Sequence, residues 1–213
     1  MDTFDISQPR SNEIRVVTVA TGTAASGKFV HQAVWMIHGD GTLEMDNEFK
    51  PSGDLPPLPR LGVVMRVAGD FEQFSWYGRG PWENYADRKR SADMGVWHSS
   101  VTDQCVPYVK PQETGNKEEV RWLTLTDPNG AGLGVAAEDN PMAVSALHFT
   151  AADLAAVRHH YELKPRPEVV VSLDARQSGL GNSSCGPGVL QRYAVLPNQV
   201  YHLKLRFFPV PAP

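Results

Sequence analysis

The residues able to do chemistry gather in two short stretches. The first, Trp76 to Tyr85, reads WYGRGPWENY and continues into Ala86, Asp87 and Arg88. Gly78 and Gly80 flank Arg79, a pattern that predicts a sharp turn with a guanidinium at its apex and Pro81 fixing the exit. Glu83, Asn84, Asp87 and Arg88 add carboxylates, an amide and a second guanidinium within one loop. Bidentate pairing of Arg79 and Arg88 with Glu83 and Asp87 would satisfy such a loop from within. The same residues, with Trp82 and Tyr85 among them, also suit a sugar. A pyranose lays its apolar face on an aromatic plane and offers hydroxyls at its rim to fixed polar groups.

The second stretch, Gln177 to Gly188 (QSGLGNSSCGPG), is a loop by composition, leaving the strand read over Ser172 to Arg176. A phosphate cradle is excluded, because no helix pattern follows and no Lys stands at the P-loop position. Cys185 would need a histidine base to act as a nucleophile; in a Gly-Ser loop it reads as a small loop residue. His159 and His160 are read in a strand, where neighbours face opposite ways and cannot share a metal. Glu118-Glu119 and Glu138-Asp139 are adjacent carboxylates near turns, which reads as solvated charge.

Strands must position these residues. Across 213 residues, 18 Gly and 17 Pro are spread evenly and punctuate short runs of β-branched and aromatic residues, the pattern of an all-β sandwich. Ile14–Ala20, Phe29–Ile37 and Thr42–Phe49 read as a meander, with Gly39-Asp40-Gly41 as a hairpin turn. Pro51 to Pro59 reads as an edge crossing, before a hairpin of Gly62–Ala68 and Phe71–Tyr77. Later strands are expected over Glu119–Thr126, Gly132–Ala137, Met142–Phe149, His159–Leu163, Glu168–Ala175, Tyr193–Leu196 and Gln199–Pro209. The helical window is Thr150–Val157, with Thr150 as N-cap and Asp153 completing a capping box.

Composition closes off several functions. Lys and Arg total 20 against 24 Asp and Glu, and no local basic patch offers a nucleic-acid or anionic-lipid surface. No apolar run approaches the ~18 residues of a membrane span. Two cysteines, Cys105 and Cys185, cannot build a disulfide framework or a four-cysteine zinc site.

The run WYGRGPWENYADR, the segment Tyr108 to Lys117 (YVKPQETGNK), the loop GLGNSSCGP and Leu58 to Gly62 (LPRLG) together resemble the C-terminal domain of glycoside hydrolase family 2 bacterial β-galactosidases, in the family's order. The resemblance implies a large antiparallel supersandwich of the galactose mutarotase type. Residues 1–213 would then be a single, partial domain, lacking its first strands and the catalytic barrel. It also implies a retaining enzyme whose two glutamates, with the magnesium and sodium ligands, sit on the absent domains. This chain would have no catalytic or metal residue and no cofactor of its own.

Its partners would be the remaining domains of the parent and a galactoside substrate. The parent would be a soluble bacterial enzyme, cytoplasmic or periplasmic, able to form homo-oligomers. The loop Gly179 to Pro187 would reach toward the galactosyl pocket, making Asn182, Ser183, Ser184 and Cys185 the candidate substrate-binding residues; Cys185 and Gly186 stand where relatives present a stacking tryptophan. Arg79, Trp82, Glu83, Asn84, Asp87 and Arg88 would form a signature loop of architectural role.

Two other classes are compatible with the residues. A stand-alone carbohydrate-binding module would use Trp76, Trp82 and Trp97 as stacking planes. A mutarotase-like epimerase would set a histidine (His148, His159 or His160) against Glu138 or Glu162 across a sugar C1 hydroxyl.

Overall fold

The computed structural model describes residues 1–183 and 185–213. Its strands are β1 (Thr3–Arg10), β2 (Glu13–Ala24), β3 (Gly27–His38), β4 (Leu43–Gly53), β5 (Arg60–Val67), β6 (Gln73–Gly80), β7 (Asp93–Ser100), β8 (Lys117–Val120), β9 (Trp122–Thr126), β10 (Gly132–Ala137), β11 (Met142–Leu147), β12 (Val169–Gln177) and β13 (Tyr201–Val210). One short helix, α1 (Ala151–Ala156), follows β11. The strands form a nine-stranded sheet in the order β1-β2-β3-β4-β13-β10-β9-β6-β7 and a four-stranded sheet in the order β5-β12-β11-β8. Every ladder is antiparallel.

Alternation decides which face of each strand is inside. Along β4, Met45, Asn47 and Phe49 are buried while the acidic residues between them face out. Their faces, with Trp76, Leu123, Leu125 and Leu205, meet Val120, Val144, Val171 and Leu173 of the small sheet in one core. The buried Asn47 is satisfied: its amide donates to the Leu203 carbonyl at 2.9 Å and its oxygen meets His31 Nε2 at 3.0 Å. Strand β11 is buried along its whole length, and α1 stands over the Ser145 to Leu147 part of its outer face across a cavity of about 240 Å³ between Leu154 and Ser145, Leu147 and Ser172. The capping box forms as expected, with Asp153 N–H donating to Thr150 Oγ1 (3.2 Å) and Thr150 N–H to Asp153 Oδ2 (2.8 Å). Arg166 also binds Asp153 and holds its carboxyl well below the usual range.

Several expected elements differ. Strand β1 was missed because all its residues are exposed, so it carries no half-buried alternation, and β7 was also missed. Residues 159–163 are a 3₁₀ turn over His160–Glu162, not a strand. The Glu162 carboxylate takes the backbone N–H groups of Arg158 (2.8 Å) and His159 (3.0 Å), which no strand ladder could then use. Tyr193–Leu196 likewise gives a 3₁₀ turn over Gln191–Tyr193 and a single bridge from Leu58 to Val195.

Pro51 lies inside β4 rather than in the crossing. The ladder to β13 ends at Phe49–Tyr201, so the N–H that proline lacks falls where no partner strand waits.

Gly62 faces Asp174 across the β5–β12 ladder. A Cβ there would stand 2.2 Å from the Leu173 carbonyl oxygen and 2.5 Å from Asp174 Cα, both backbone. Gly62→Ala should therefore lower stability by about 2 kcal/mol through overpacking. Equilibrium urea unfolding measures this, and an unchanged midpoint would contradict the close approach of these two strands.

Candidate functional site: a tied polar corner beside a cleft

The segment Gly78 to Gly80 is the end of β6, not a turn. Its glycines serve close packing: a Cβ on Gly78 would meet Val120 at 2.8 Å, and one on Gly80 would meet the Trp97 ring at 2.6 Å. Arg79 accordingly leaves the following loop and pairs with neither Glu83 nor Asp87. Its Nε reaches Glu119 Oε2 at 2.9 Å and its Nη1 the Ala92 carbonyl at 2.9 Å. Lys89 holds the other oxygen of Glu119 at 2.9 Å. Burial works against ionisation of Glu119, but Lys89 and Arg79 outweigh it and keep the carboxyl below its usual range.

Glu83, left without a cation, accepts four hydrogen bonds from neutral donors instead. They come from Gly115 N–H (2.8 Å), Thr114 Oγ1 (3.1 Å), Tyr85 OH (3.3 Å) and the Tyr108 phenol. Burial, reinforced by that bond to Glu83, pushes the Tyr108 phenol up to about 12. Asn84 completes the seam: its N–H donates to the Asn116 carbonyl (2.8 Å), and its side-chain oxygen takes the Glu118 N–H (2.9 Å). Asn116 returns a bond to the Asn84 carbonyl at 2.8 Å.

The next two residues reach the glycine-rich loop. Asp87 accepts the N–H groups of Leu180 (3.1 Å) and Gly181 (2.8 Å). Arg88 donates to the Gly181 carbonyl (2.6 Å) and Asn182 Oδ1 (3.1 Å), and lies 3.3 Å from Asp87 Oδ2. Burial opposes ionisation of Asp87, but the two loop N–H groups and Arg88 hold its carboxyl below the usual range. Gly179 has to be glycine here, since a Cβ would sit 2.6 Å from Asp87 Cγ. Two motifs about ninety residues apart in sequence are thus one site.

Beside this tie opens a cleft of about 360 Å³ lined by Arg88, Tyr108, Gln112, Glu113, Leu180 and Ser183. Of the candidate substrate-binding residues, Ser183 lines the cleft, Asn182 commits its side-chain oxygen to Arg88, and Cys185 is exposed in the loop turn, its N–H on the Asn182 carbonyl at 3.0 Å. Ser184 lies outside the described residues.

Residue-by-residue reading missed Tyr108, Gln112 and Glu113 as cleft residues, and Arg60 and Asp174 behind them. Arg60 Nε donates to Asp174 Oδ2 at 3.0 Å, and its Nη1 lies 3.5 Å from Glu113. Asp174 is 1% exposed. Burial pushes its carboxyl up to about 6 despite Arg60, and Glu113 and Glu118 add repulsion. The lone carboxylate in the otherwise uncharged run Val169 to Ala175 was the available signal.

The other constellations do not assemble. Trp76 is fully buried and stacked on Phe74, and Trp97 donates to the Gly78 carbonyl at 3.2 Å. Trp82 is left as the exposed member of that trio, at 72%. His148 spends both ring nitrogens, on Glu72 (2.8 Å) and the Glu168 carbonyl (3.2 Å). Glu138 pairs with Arg206, and His159 meets Glu162 only as a surface pair at 3.5 Å. Among the described residues, no three His, Cys, Asp or Glu side chains gather as a metal site.

Fold and site define an antiparallel β-sandwich domain in which two motif loops are bound into one polar corner. A sequence profile of the family described as beta galactosidase small chain matches residues 2–207, and the chain belongs to that family. A β-galactosidase of Priestia megaterium is 35% identical over 147 residues, covering 69% of this chain and 14% of the relative. β-Galactosidase BgaC of Bifidobacterium adolescentis is 39% identical, covering 66% and 14%. A Lactococcus lactis β-galactosidase is 29% identical over 95% of this chain and 20% of its own. The chain thus spans between about a seventh and a fifth of the length of these relatives. Among solved structures, a GalM/aldose epimerase homologue from C. elegans aligns with 99% of this chain and 69% of its own at 10% identity and a TM-score of 0.43.

Glu83→Ala should cost about 3 kcal/mol, because it strands several part-buried donors at once; a loss under ~1 kcal/mol in urea unfolding would mean that the seam is dispensable. Asp174 carries a pH signature. Its native carboxyl, at about 6, holds a proton more tightly than the ordinary 3.8 of the unfolded chain. It therefore favours folding at low pH and loses that contribution as pH rises from about 4 to 6. The stability of wild type relative to Asp174→Asn should fall across that interval; a flat difference would contradict it.

Proposed function

We propose that residues 1–213 serve as the C-terminal accessory domain of a retaining family 2 β-galactosidase, helping to complete its sugar-binding pocket without supplying the catalytic carboxylates. The observation that carries this reading is the Asp87–Arg88 tie, which fixes the Gly179 to Ser183 stretch and leaves Ser183 on an open cleft. A loop held from both its N–H and C=O sides can present its hydroxyls in a fixed direction. Asn182, Ser183 and Ser184 would complete a galactosyl or aglycone subsite, with the rest of the parent enzyme as partner and a terminal β-galactoside as substrate.

The acid/base and nucleophile, with magnesium and sodium, would belong to the other domains of an enzyme able to form homo-oligomers. The soluble bacterial character of the parent is part of the same reading. Among the described residues, no helix is long and apolar enough to cross a membrane.

Retaining hydrolysis needs two carboxyl groups about 5 Å apart on either side of the scissile bond. The purified chain should accordingly leave nitrophenyl β-galactoside intact. Turnover that persists in Glu83→Gln and is free of host enzyme would sink the accessory assignment. In the parent enzyme, replacing Asn182, Ser183 and Ser184 together by alanine should lower kcat/KM by about tenfold or more while Tm stays near wild type. Untouched kinetics with reduced Tm would make the loop a structural turn.

A further inference from the structure

On the other side of the Asp87 tie lies a larger cleft of about 600 Å³ that shares no residue with the one beside Ser183. It is open at the sandwich end where β11 and β13 begin and β12 finishes, and its wall includes Lys89, Glu118, Arg176, Gln177, Arg192 and Tyr193. Two β-bulges shape it. In the β12–β5 ladder the register slips between Asp174 and Arg176, so Gln177 returns to the buried side that Asp174 occupies while Arg176 faces out, and both border the cleft where the strand ends. In the β11–β8 ladder the register slips between Met142 and Val144, beside Glu119 at φ 58°.

The polar groups here are unevenly satisfied. Gln177 is 5% exposed, its Oε1 is buried without a partner, and its side chain makes no hydrogen bond among the described residues. Buried amides are normally paired, so an unpartnered carboxamide at a cleft wall is a place that a water or a ligand atom can serve. Lys89 is already engaged by Glu118 (3.2 Å) and Glu119 (2.9 Å). Arg176 and Arg192 have no carboxylate within ion-pair distance among the described residues, and Arg192 is held over the Tyr193 ring at 4.8 Å. Acidic side chains are thus balanced inside the cleft while two guanidinium groups at its wall are not.

We propose that this cleft is a second saccharide site, one that takes a small sugar bearing an anionic group. The sugar hydroxyls meet Gln177 and the anion meets Arg176 and Arg192. The sugar part of the assignment rests on the galactosidase reading above; the anionic part rests on the guanidinium groups alone. The volume lies within the ~300–1,000 Å³ range of small-ligand pockets.

Calorimetric titration of this chain with galacturonate, galactose 6-phosphate, galactose and inorganic phosphate tests it. Either or both anionic sugars should bind at least tenfold more tightly than galactose and than inorganic phosphate. Gln177→Leu and Arg176→Gln should each weaken that binding at least fivefold with the urea midpoint no lower than wild type, since neither side chain has a partner to lose. If Gln177→Leu fails to fold, the Arg176→Gln result decides. No heat with either anionic sugar, equal binding of galactose, equal binding of phosphate, or variants that leave affinity unchanged would overturn the proposal. Asn182→Ala should leave this binding intact, so the outcome is separate from the kinetic test of the Ser183 loop.

Discussion

The corner of this domain depends on where two carboxylates find their donors. Glu83 and Asp87 sit four residues apart in one loop, yet Glu83 binds the segment around Gly115 while Asp87 binds the backbone of residues 180 and 181. Each carboxylate can accept several N–H or O–H groups, and such bonds gain strength from its charge. Three stretches distant in sequence are therefore fixed relative to one another by a few side chains rather than by a shared strand ladder.

That arrangement is possible because the cations are assigned elsewhere. Arg79 and Lys89 neutralise Glu119, Arg60 faces Asp174, and Arg88 alone joins the loop tie. If Arg79 had closed on Glu83, as the local sequence suggested, Gly115 and Thr114 would have lost their acceptor. Buried charges are costly when unpaired, and here they are distributed so that each acidic group keeps either a guanidinium, an ammonium or a set of backbone donors. Lys117 is an expensive member of the set. It is almost wholly buried, donates to the Gly115 carbonyl at 3.1 Å, lies 5.2 Å from the centre of the Trp76 ring, and burial brings its ammonium down to about 8 despite Glu83.

Close approach explains the glycines better than turn-making does. Gly78, Gly80 and Gly179 are required because Val120, the Trp97 ring and the Asp87 carboxylate occupy the space a Cβ would need. Gly181 is different, since its φ of 64° lies in the left-handed region that favours glycine. The loop tie needs both kinds: one glycine to admit Asp87 and another to turn the chain beneath it.

Much of this was written in the chain. Alternation and the spacing of turn residues determined an all-β sandwich, the β2–β4 meander and the capped helix, because these depend on residues close in sequence. The motif stretches around Glu83 and Asn182, and their resemblance to β-galactosidases, could likewise be read directly. Pairing partners could not. Whether Arg79 meets Glu83 or Glu119, whether 159–163 is strand or 3₁₀ turn, and whether Asp87 faces its own loop or one ninety residues away are settled by which segments the sheets bring side by side. The bulge that returns Gln177 to the buried side of β12, and the one beside Glu119, belong to the same class: a register slip exists only between paired strands, so no single strand's sequence records it.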